Sequence, residues 1–470
     1  MRLCIAILIL FILSLPLCAR NSVYYASKYA RLDSDVVKGG GTDDTAALQA
    51  LLDMASDGAP LKLVMDGAAL VTGLTVWPNT TIECVNPACG FFLKDDSNCA
   101  IIRNKHASFN SSPEARDKNI SLIGGTWNHN AKGQKHDVPC PEDELSIYKQ
   151  NDSDYIPSKW VMAFELYGVE NLLMKDMTIR NQRTFTALIA NYEFVNVENI
   201  NIILDDYMHA NNQDGFHFFG PGRFLNITNM TGTSGDDFIA IAPDERDGVS
   251  SITDVMIDGV HLNNADQGIR LLCQGKGELD RVLIKNVTGT FKGFGFIINP
   301  WFEGTGGNYR NIVIDTVDLH CTSIEYDYMK PFLFKLGGNI DDLVLRNIHY
   351  HGDEPHYIVT TGGHYMRSLP SDANNPTHIK MLTIEDLYVY DDRKTHTYFD
   401  IADTIDHLVI RNFQVAGSMP GNALFRMNDN ASVENMFIDG LTVIGQNKTF
   451  YPGSQQKVKH LFTSNIIKTE

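Results

Sequence analysis

One short phrase recurs ten times between residues 169 and 436, and it restricts the folds open to this chain. Each copy has an apolar residue, two polar residues and then apolar residues that alternate with polar ones around an Asn or Asp. Alternation with a period of two predicts β-strands rather than helices. The copies begin at Val169, Val197, Phe224, Ile252, Leu279, Tyr309, Ile340, Ile379, Ile405 and Val433.

The spacing of the copies indicates a solenoid. Successive copies start 28, 27, 28, 27, 30, 31, 39, 26 and 28 residues apart, and a near-constant period in this range is typical of stacked coils. A second set of strand-like segments runs through the same coils, at residues 186–189, 215–218, 238–241, 268–271 and 296–299. We therefore predict an all-β fold, a right-handed parallel β-helix that forms a single solenoid. Propeller blades need about 40 residues per repeat, which is too long for this spacing.

The N-terminal residues predict export. Arg2 precedes an apolar stretch from Cys4 to Leu17, and Ala19 is a plausible cleavage point, as in a secretory signal peptide. The stretch is too short to span a membrane. We predict a signal peptide at residues 1–19, a parallel β-helix catalytic domain at residues 20–470, and a secreted protein, extracellular or periplasmic.

Charge and cysteine content narrow the partners. The net charge of −18 argues against nucleic acid and anionic membrane surfaces, because both attract basic proteins. We predict a polysaccharide or oligosaccharide substrate and a monomer. Export permits disulfides among the six cysteines beyond the signal peptide, and Cys84 with Cys89 is our candidate pair. The histidines show no metal-ligand spacing, so we predict neither a metal nor another cofactor.

A capping helix is predicted at the start of the solenoid. Residues 39–41 are three glycines, and a helix-forming segment from Thr42 to Leu52 follows them. Thr42 or Asp43 is suited to cap this helix, whose apolar side would cover the open end of the coils. We interpret Asp43 and Asp44 as capping residues rather than metal ligands.

Several motifs, in one order and at coil spacing, carry a family resemblance. The capping segment resembles that of the pectate-lyase-like β-helix superfamily. Between Gly39 and Leu319 the chain resembles glycoside hydrolase family 28, the polygalacturonase family. The matching segments are residues 123–130, Asn212-Gln213-Asp214-Gly215 and Gly235-Asp236-Asp237-Phe238-Ile239-Ala240-Ile241. The resemblance implies that Asp236 is the general acid, and that Asp214 with Asp237 is the base that activates water.

Two departures from the family concern substrate binding. The family's Gly-His-Gly is absent, and its Arg-Ile-Lys is at best Arg270-Leu271-Leu272, without the lysine. By coil order Gln267 takes the place of the family histidine, and by sequence Arg270 takes the place of the family arginine. The resemblance implies that this basic pair helps to hold a galacturonate carboxylate. Its loss weakens the expectation of a polygalacturonate substrate but leaves the acid–base pair.

The acidic residues are also suited to catalysis on physical grounds. Asp214 begins one predicted strand and Asp236 with Asp237 begins the next, and adjacent strands lie about 4.8 Å apart. Like charges this close raise at least one pKa, which places a protonated acid beside an ionised base. A one-coil offset is compatible with the roughly 6.5–9.5 Å separation of carboxyl groups in inverting glycosidases. We expect this acidic trio, Asp214, Asp236 and Asp237, to converge on one exposed cleft.

Our functional interpretation is a glycoside hydrolase with two alternatives. We predict that the protein cleaves glycosidic bonds of an extracellular, acidic, pectin-like polysaccharide by an inverting acid–base mechanism. The candidate substrate-binding residues are Arg270, Gln267, His217, Asn212 and His209. The first alternative is a polysaccharide lyase on the same fold, which would need a Lys or Arg base and usually Ca²⁺. The second is a non-catalytic carbohydrate-binding solenoid, which would not need the acidic trio.

Overall fold

The computed structural model describes residues 22–469 apart from ten internal segments. These segments are 109–111, 141–157, 209–211, 301–306, 323–330, 353–356, 363–376, 391–396, 417–422 and 446–447. The predicted signal peptide therefore lies outside the described residues, as does most of the chain just before the repeats at Tyr309, Ile340 and Ile379.

Twenty-nine strands make up most of the described chain. The first eleven are short: β1 (Ser22–Tyr25), β2 (Leu61–Met65), β3 (Ala68–Val71), β4 (Leu74–Val76), β5 (Thr80–Cys84), β6 (Gly90–Leu93), β7 (Ile102–Asn104), β8 (Asp117–Ile123), β9 (Thr126–Asn128), β10 (Asp137–Pro139) and β11 (Ser158–Trp160). The middle strands include the longest: β12 (Phe164–Lys175), β13 (Thr178–Arg180), β14 (Ala187–Ile203), β15 (Phe216–Gly232), β16 (Asp237–Ala242), β17 (Ile252–Leu271), β18 (Glu278–Ile298) and β19 (Asn308–Cys321).

Long and short strands then alternate toward the C-terminus. They are β20 (Phe332–Leu336), β21 (Asn339–Gly352), β22 (Tyr357–Thr361), β23 (His378–Tyr390), β24 (Thr397–Ile401), β25 (Thr404–Ala416), β26 (Ala423–Met427), β27 (Ser432–Ile444), β28 (Lys448–Phe450) and β29 (Val458–Thr469). The helices are α1 (Thr45–Leu52) and short 3-10 turns at Ala26–Lys28, Asp53–Ala55, Pro113–Ala115, Ala131–Gly133 and Gln455–Lys457.

Strands of successive coils pair in parallel and form one continuous ladder. Twenty-seven strands belong to a single sheet, and only β10 with β11 forms a separate antiparallel pair within the described residues. Pairings such as β14 with β15, β15 with β17 and β19 with β21 join each coil to the next. The structure thus confirms the all-β parallel β-helix with an N-terminal helical cap.

Eight of the ten repeated phrases align with one another across the coils, but two do not. Val169 pairs with Tyr192 rather than with Val197, and Val197 pairs with Ile227 rather than with Phe224. The predicted alignment of the phrases at Val197 and Phe224 was wrong. Each of these coils contains two turns with a residue in the left-handed conformation. The phrase at Val169 precedes the first turn of its coil, whereas the phrase at Val197 precedes the second.

The second of these turns forms a polar ladder along the solenoid. It has a left-handed residue in every coil from Asp176 to Asn465, most often Asn, which tolerates this conformation better than most side chains. Amide groups then bond to the coil before: Asn199 donates to Asp176 at 2.7 Å, and Asn229 donates to Asn199 at 3.1 Å. These bonds hold the coils in register.

Apolar side chains fill the interior and are covered at the N-terminal end by α1. Stacked rings recur at equivalent positions, with Phe296 and Phe334 at 5.0 Å and Phe399 and Phe425 at 4.8 Å between centroids. The helix begins three residues later than the predicted segment and buries Leu48, Leu51 and Leu52.

The acidic residues before α1 have structural partners. Asp43 accepts hydrogen bonds from the backbone N–H and the hydroxyl of Thr45, at 3.1 and 2.6 Å. Asp44 accepts the N–H groups of Arg31 and Leu32 at 2.8 and 2.9 Å. The contact of Asp43 fits the predicted capping role, because Thr45 is the first residue of α1. Asp44 directly precedes α1, but its side chain binds the backbone at Arg31 and Leu32 and does not cap the helix.

Cysteine pairing differs from the expectation. Cys84 and Cys89 are both buried free thiols, so the candidate disulfide is not formed in this structure. None of the helices in the described chain is long and apolar enough to span a membrane.

The stacked phenylalanines provide a test of the packing. Phe399 is 1% exposed, and we expect Phe399→Ala to lower the free energy of unfolding of the C-terminal coils by about 3–5 kcal/mol, because it leaves a cavity. Phe437 is the matched control, since it stacks on Phe462 at 4.7 Å but is 38% exposed. Phe437→Ala should cost about 1 kcal/mol. Equal shifts in urea denaturation would contradict the assigned interior.

Candidate active site

The acidic trio lies where β15 and β16 begin. Asp214 stands two residues before β15, Asp236 directly precedes β16, and Asp237 is its first residue. His217 pairs with Ala240, and these residues lie three positions after Asp214 and Asp237 respectively. On the next coil, Asp237 pairs with Gln267. Asp214, Asp237 and Gln267 therefore hold equivalent positions in three successive coils.

A second column of equivalent positions lies beside the first. It consists of His217, Ala240 and Arg270 in β15, β16 and β17. The preceding residues, Phe216, Ile239 and Ile269, are in the buried core, so alternation along the strands directs His217 and Arg270 to the outer face. Two adjacent columns thus bring carboxylates and cations together.

Close contact between coils fixes the backbone of the trio. The carbonyl oxygen of Asp214 accepts bonds from the N–H and hydroxyl of Thr186, at 3.0 and 3.1 Å. The N–H of Gly215 donates to the carbonyl of Asp237 at 2.8 Å. A Cβ atom on Gly215 would lie 2.1 Å from the carbonyl oxygen of Phe238, so only glycine permits this approach.

His217 bridges two carboxylates. Its Nδ1 lies 3.0 Å from Asp214 Oδ2, and its Nε2 lies 2.9 Å from Glu245 Oε2. The ring stacks on Phe185 at 4.5 Å and meets Phe219 edge to face at 5.1 Å. The sequence predicted His217 as a substrate-binding residue, whereas both of its nitrogens contact the protein's own acids.

Glu245 and Phe185 were missed by sequence reasoning. Glu245 lies in the charged turn after β16, in the run Asp244-Glu245-Arg246-Asp247, which has the composition of a solvated turn. Phe185 precedes β14 in a segment without any motif. Their contacts with His217 can be predicted only when the register of neighbouring coils is known.

Arg270 and Gln267 both face Asp237 from the next coil. Arg270 Nη1 lies 3.3 Å from Asp237 Oδ2, and both side chains are buried. The guanidinium expected to anchor substrate thus contacts a carboxylate of the trio. The amide oxygen of Gln267 is buried and has no hydrogen-bond donor among the described residues, and the same is true of Asp214 Oδ1 and Asp237 Oδ1.

Asp236 differs from its two neighbours. Asp214 and Asp237 are each 2% exposed, but Asp236 is partly exposed. Its Oδ1 accepts the backbone N–H of Asp237 at 2.9 Å. Within the described chain Asp214 contacts His217 and Asp237 contacts Arg270, while Asp236 has no ion-pair partner. The expectation of one exposed cleft therefore fits Asp236 better than the other two.

Desolvation and mutual repulsion keep protons on these carboxyl groups. Burial, the charges of Asp214 and Asp237 and the weaker opposing effect of Arg270 set the pKa of Asp236 well above its usual range. Burial also raises the pKa of Asp214 and of Asp237, against the contacts with His217 and Arg270 respectively. At least one carboxyl group of the trio therefore remains protonated near neutral pH.

The histidine and the fourth carboxylate are shifted toward their charged forms. Burial alone would lower the pKa of His217, but the hydrogen bonds and charges of Asp214 and Glu245 outweigh it and raise the pKa to about 10. Burial opposes ionisation of Glu245, yet the contact with His217 lowers the pKa of that carboxyl. The pair is an imidazolium–carboxylate contact.

The remaining two predicted residues are Asn212 and His209. Asn212 is two residues before Asp214, in a left-handed turn with φ of 50°. His209 lies outside the described residues. The described part of the chain holds no group of three or more His, Cys, Asp or Glu side chains arranged to hold a metal ion.

Comparisons with known proteins extend the fold assignment. No protein-family model matches the chain, and no curated protein matches its sequence. A mutant tailspike protein of E. coli bacteriophage HK620 is similar in structure, with 12% identity and a TM-score of 0.60, over 90% of this chain and 77% of that chain. The family 28 exopolygalacturonase of Yersinia enterocolitica is 15% identical, with a TM-score of 0.47, over 88% of this chain and 78% of its own.

A surface adhesin is also similar. PfbA of Streptococcus pneumoniae is 14% identical, with a TM-score of 0.49, over 91% of both chains. The structures similar to this chain thus include a family 28 exopolygalacturonase, a tailspike protein and a surface adhesin. At these identities the likeness shows the fold alone.

The raised pKa of Asp236 predicts that its carboxyl group destabilises the folded protein at high pH. Because the folded pKa exceeds the unfolded one, stability falls as pH rises from about 4 through the folded value. We expect Asp236→Asn to be as stable as the wild type near pH 3.5 and to become more stable than the wild type as pH rises. The gain in the free energy of unfolding should reach about 1.4 kcal/mol per unit of pKa shift, and it is measured as a higher melting temperature.

Asp258 provides a control of opposite sign. Contacts with Asn286 and Lys285 lower the pKa of Asp258, so its charge stabilises the folded state above about pH 4. Asp258→Asn should therefore lose stability over the range in which Asp236→Asn gains it. A melting temperature of Asp236→Asn at or below the wild type at pH 8 would contradict the assigned protonation.

Proposed function

We propose that this protein is a glycoside hydrolase that cleaves a polysaccharide by an inverting acid–base mechanism. The observation that carries the proposal is the unequal pairing within the acidic trio. Asp214 and Asp237 each contact a cation, whereas the partly exposed Asp236 has none among the described residues. The pKa values of all three carboxyl groups are raised, but a contacting cation opposes the shift at Asp214 and at Asp237. The arrangement therefore supports Asp236 as the carboxyl group that holds its proton most strongly.

In this proposal Asp236 is the general acid. It is the member of the trio with solvent access, and its raised pKa keeps the proton on the carboxyl group at the pH where a glycosidic oxygen must be protonated. Asp214 and Asp237 act as the base toward a water molecule. The cations beside them, His217 and Arg270, stabilise the charged form that a base requires.

The pairing of Arg270 bears on the substrate. An acidic sugar would have to compete with Asp237 for the guanidinium, which lies 3.3 Å from that carboxylate. The buried acceptor oxygens of Asp214, Asp237 and Gln267 are suited to the hydroxyl donors of any sugar. We therefore propose a polysaccharide hydrolase without specifying the charge of the sugar. Three points stay predictions: a pectin-like substrate, substrate binding by Asn212 and His209, and secretion.

Replacing the proposed acid tests the mechanism. We expect Asp236→Asn to lower turnover by about 10²–10⁴-fold or more, with the fold unchanged by circular dichroism. Turnover is measured as reducing-end release on the best substrate from a panel of neutral and acidic polysaccharides. Asp258→Asn, whose side chain lies away from the trio, should keep wild-type activity. Near wild-type turnover of Asp236→Asn would remove this residue from the role of acid.

The products distinguish hydrolysis from elimination. A hydrolase of this kind should give products of inverted anomeric configuration by NMR, without the ultraviolet absorbance of an unsaturated sugar, and should keep its activity in a chelator. A lyase would need the neutral guanidine form of Arg270 as its base, and it would show absorbance that depends on Ca²⁺. That result would overturn the hydrolase proposal in favour of the first alternative, and substrate binding without any product would favour the second.

A further inference from the structure

We infer that Glu245 is a positioning residue of this site: it keeps His217 charged across neutral pH, and the charged His217 in turn keeps Asp214 ionised as the base. The charge state of His217 follows from the geometry of its two contacts when both carboxylates are ionised. The role of Asp214 as base rests on the proposed function, so the two parts are tested separately.

The hydrogen-bond pattern of His217 requires a doubly protonated ring. A neutral imidazole has one N–H donor and one acceptor nitrogen, whereas the imidazolium has two donors. Nδ1 and Nε2 lie 3.0 and 2.9 Å from carboxylate oxygens of Asp214 and Glu245, and ionised carboxylates only accept. When both carboxylates are ionised, as the role of Asp214 as base requires, both contacts are hydrogen bonds at once only if His217 carries its second proton.

The ring has little freedom to leave this position. His217 is 4% exposed, and it stacks on Phe185 with an angle of 17° between the planes. Its neighbours in the pairing register are apolar, Leu188 in β14 and Ala240 in β16. A cation held among such neighbours needs close counter-charges, and the two carboxylates supply them.

The charged groups around His217 give Glu245 a distinct role. Asp214 lies on the same coil as His217. Asp237 comes from β16 and Glu245 from the turn that follows it, and Arg270 of β17 faces both of these carboxylates. Asp237 is already paired with Arg270. Glu245 is thus the carboxylate that balances His217 independently of the acidic trio.

The turn that carries Glu245 is anchored. The neighbouring Asp244 is buried and accepts the backbone N–H groups of Gln274, Gly275 and Gly277 at 2.6, 2.7 and 3.0 Å. These bonds tie the turn after β16 to the turn after β17. The position of Glu245 is therefore set by coil stacking, although its side chain is 27% exposed.

Removing the charge of Glu245 should release the second proton of His217 at lower pH. An opposite charge within about 4–6 Å shifts a pKa by roughly 1–3 units. In Glu245→Gln we expect His217 to titrate at least one pH unit lower than in the wild type. The measurement is an NMR titration of the histidine side-chain nitrogens in the full chain, with His217→Gln used to assign the signal.

The control and the contradicting results are direct. Glu198→Gln removes a carboxylate that pairs with Lys175 on the exposed outer surface, and it should leave the titration of His217 unchanged. A wild-type His217 that is neutral at pH 7.5 would overturn the inference. So would an unchanged titration of His217 in Glu245→Gln.

Kinetics test the link from His217 to Asp214. We expect Glu245→Gln to resemble the wild type at pH 5, where His217 is charged in both, and to be less active than the wild type at pH 8, where its lower titration leaves a larger neutral fraction of His217. The loss should appear in kcat with KM changed by less than about twofold, and Glu245→Asp should restore part of it. An equal loss at both pH values would indicate a structural role and overturn the link.

The two arms fail independently. If no polysaccharide is cleaved by the wild type, the hydrolase proposal fails, while the NMR titration still decides whether Glu245 holds the charge of His217. If cleavage is found but wild-type His217 is neutral at pH 7.5, or its titration is unchanged in Glu245→Gln, the inference about Glu245 fails and the hydrolase proposal stands.

Discussion

Parallel stacking of coils at the spacing of β-strands is the constraint on which the rest of this structure depends. It converts separations of 23 to 30 residues in sequence, such as Asp214 to Asp237 and Asp237 to Gln267, into equivalent positions on neighbouring strands. Side chains that share a position in the coil must then share a column on the surface. Where the column holds Asn, it forms the amide ladder; where it holds Asp, it forms a cluster of like charges.

The charge cluster is held together by an internal balance of ions. Four carboxyl groups, those of Asp214, Asp236, Asp237 and Glu245, meet two cations, His217 and Arg270. Buried charges are tolerated when they are paired, and here each cation contacts carboxylates of the protein itself. The imbalance leaves a proton on the group without a partner, Asp236. The protonation pattern is thus a consequence of which coils supply cations, and it needs no ligand.

The sequence was sufficient for the coils, the cap and the meeting of Asp214, Asp236 and Asp237, because these depend on period and spacing. It correctly placed Gln267 and Arg270 on the coil after Asp237. It was wrong about the register of Val197, because two turns in one coil satisfy the same pattern, and of Phe224, which is itself the left-handed residue of the first turn of its coil. It missed Glu245, since the direction of a turn side chain depends on contacts with the next coil. The contact of Arg270 with Asp237 likewise required side-chain geometry.

The location of the site on three consecutive coils has a consequence for how the protein fails under stress. Coils of a solenoid contact only their neighbours, so stability is local. β15, β16 and β17 contain the repelling carboxylates in the middle of the ladder, flanked on both sides by coils with apolar stacks and amide bonds. Alkali, which removes the protons from these carboxyl groups, would therefore weaken the centre first, and the acidic trio would lose its arrangement while most of the strands were still assembled. For this molecule, residual secondary structure is a poor measure of an intact site.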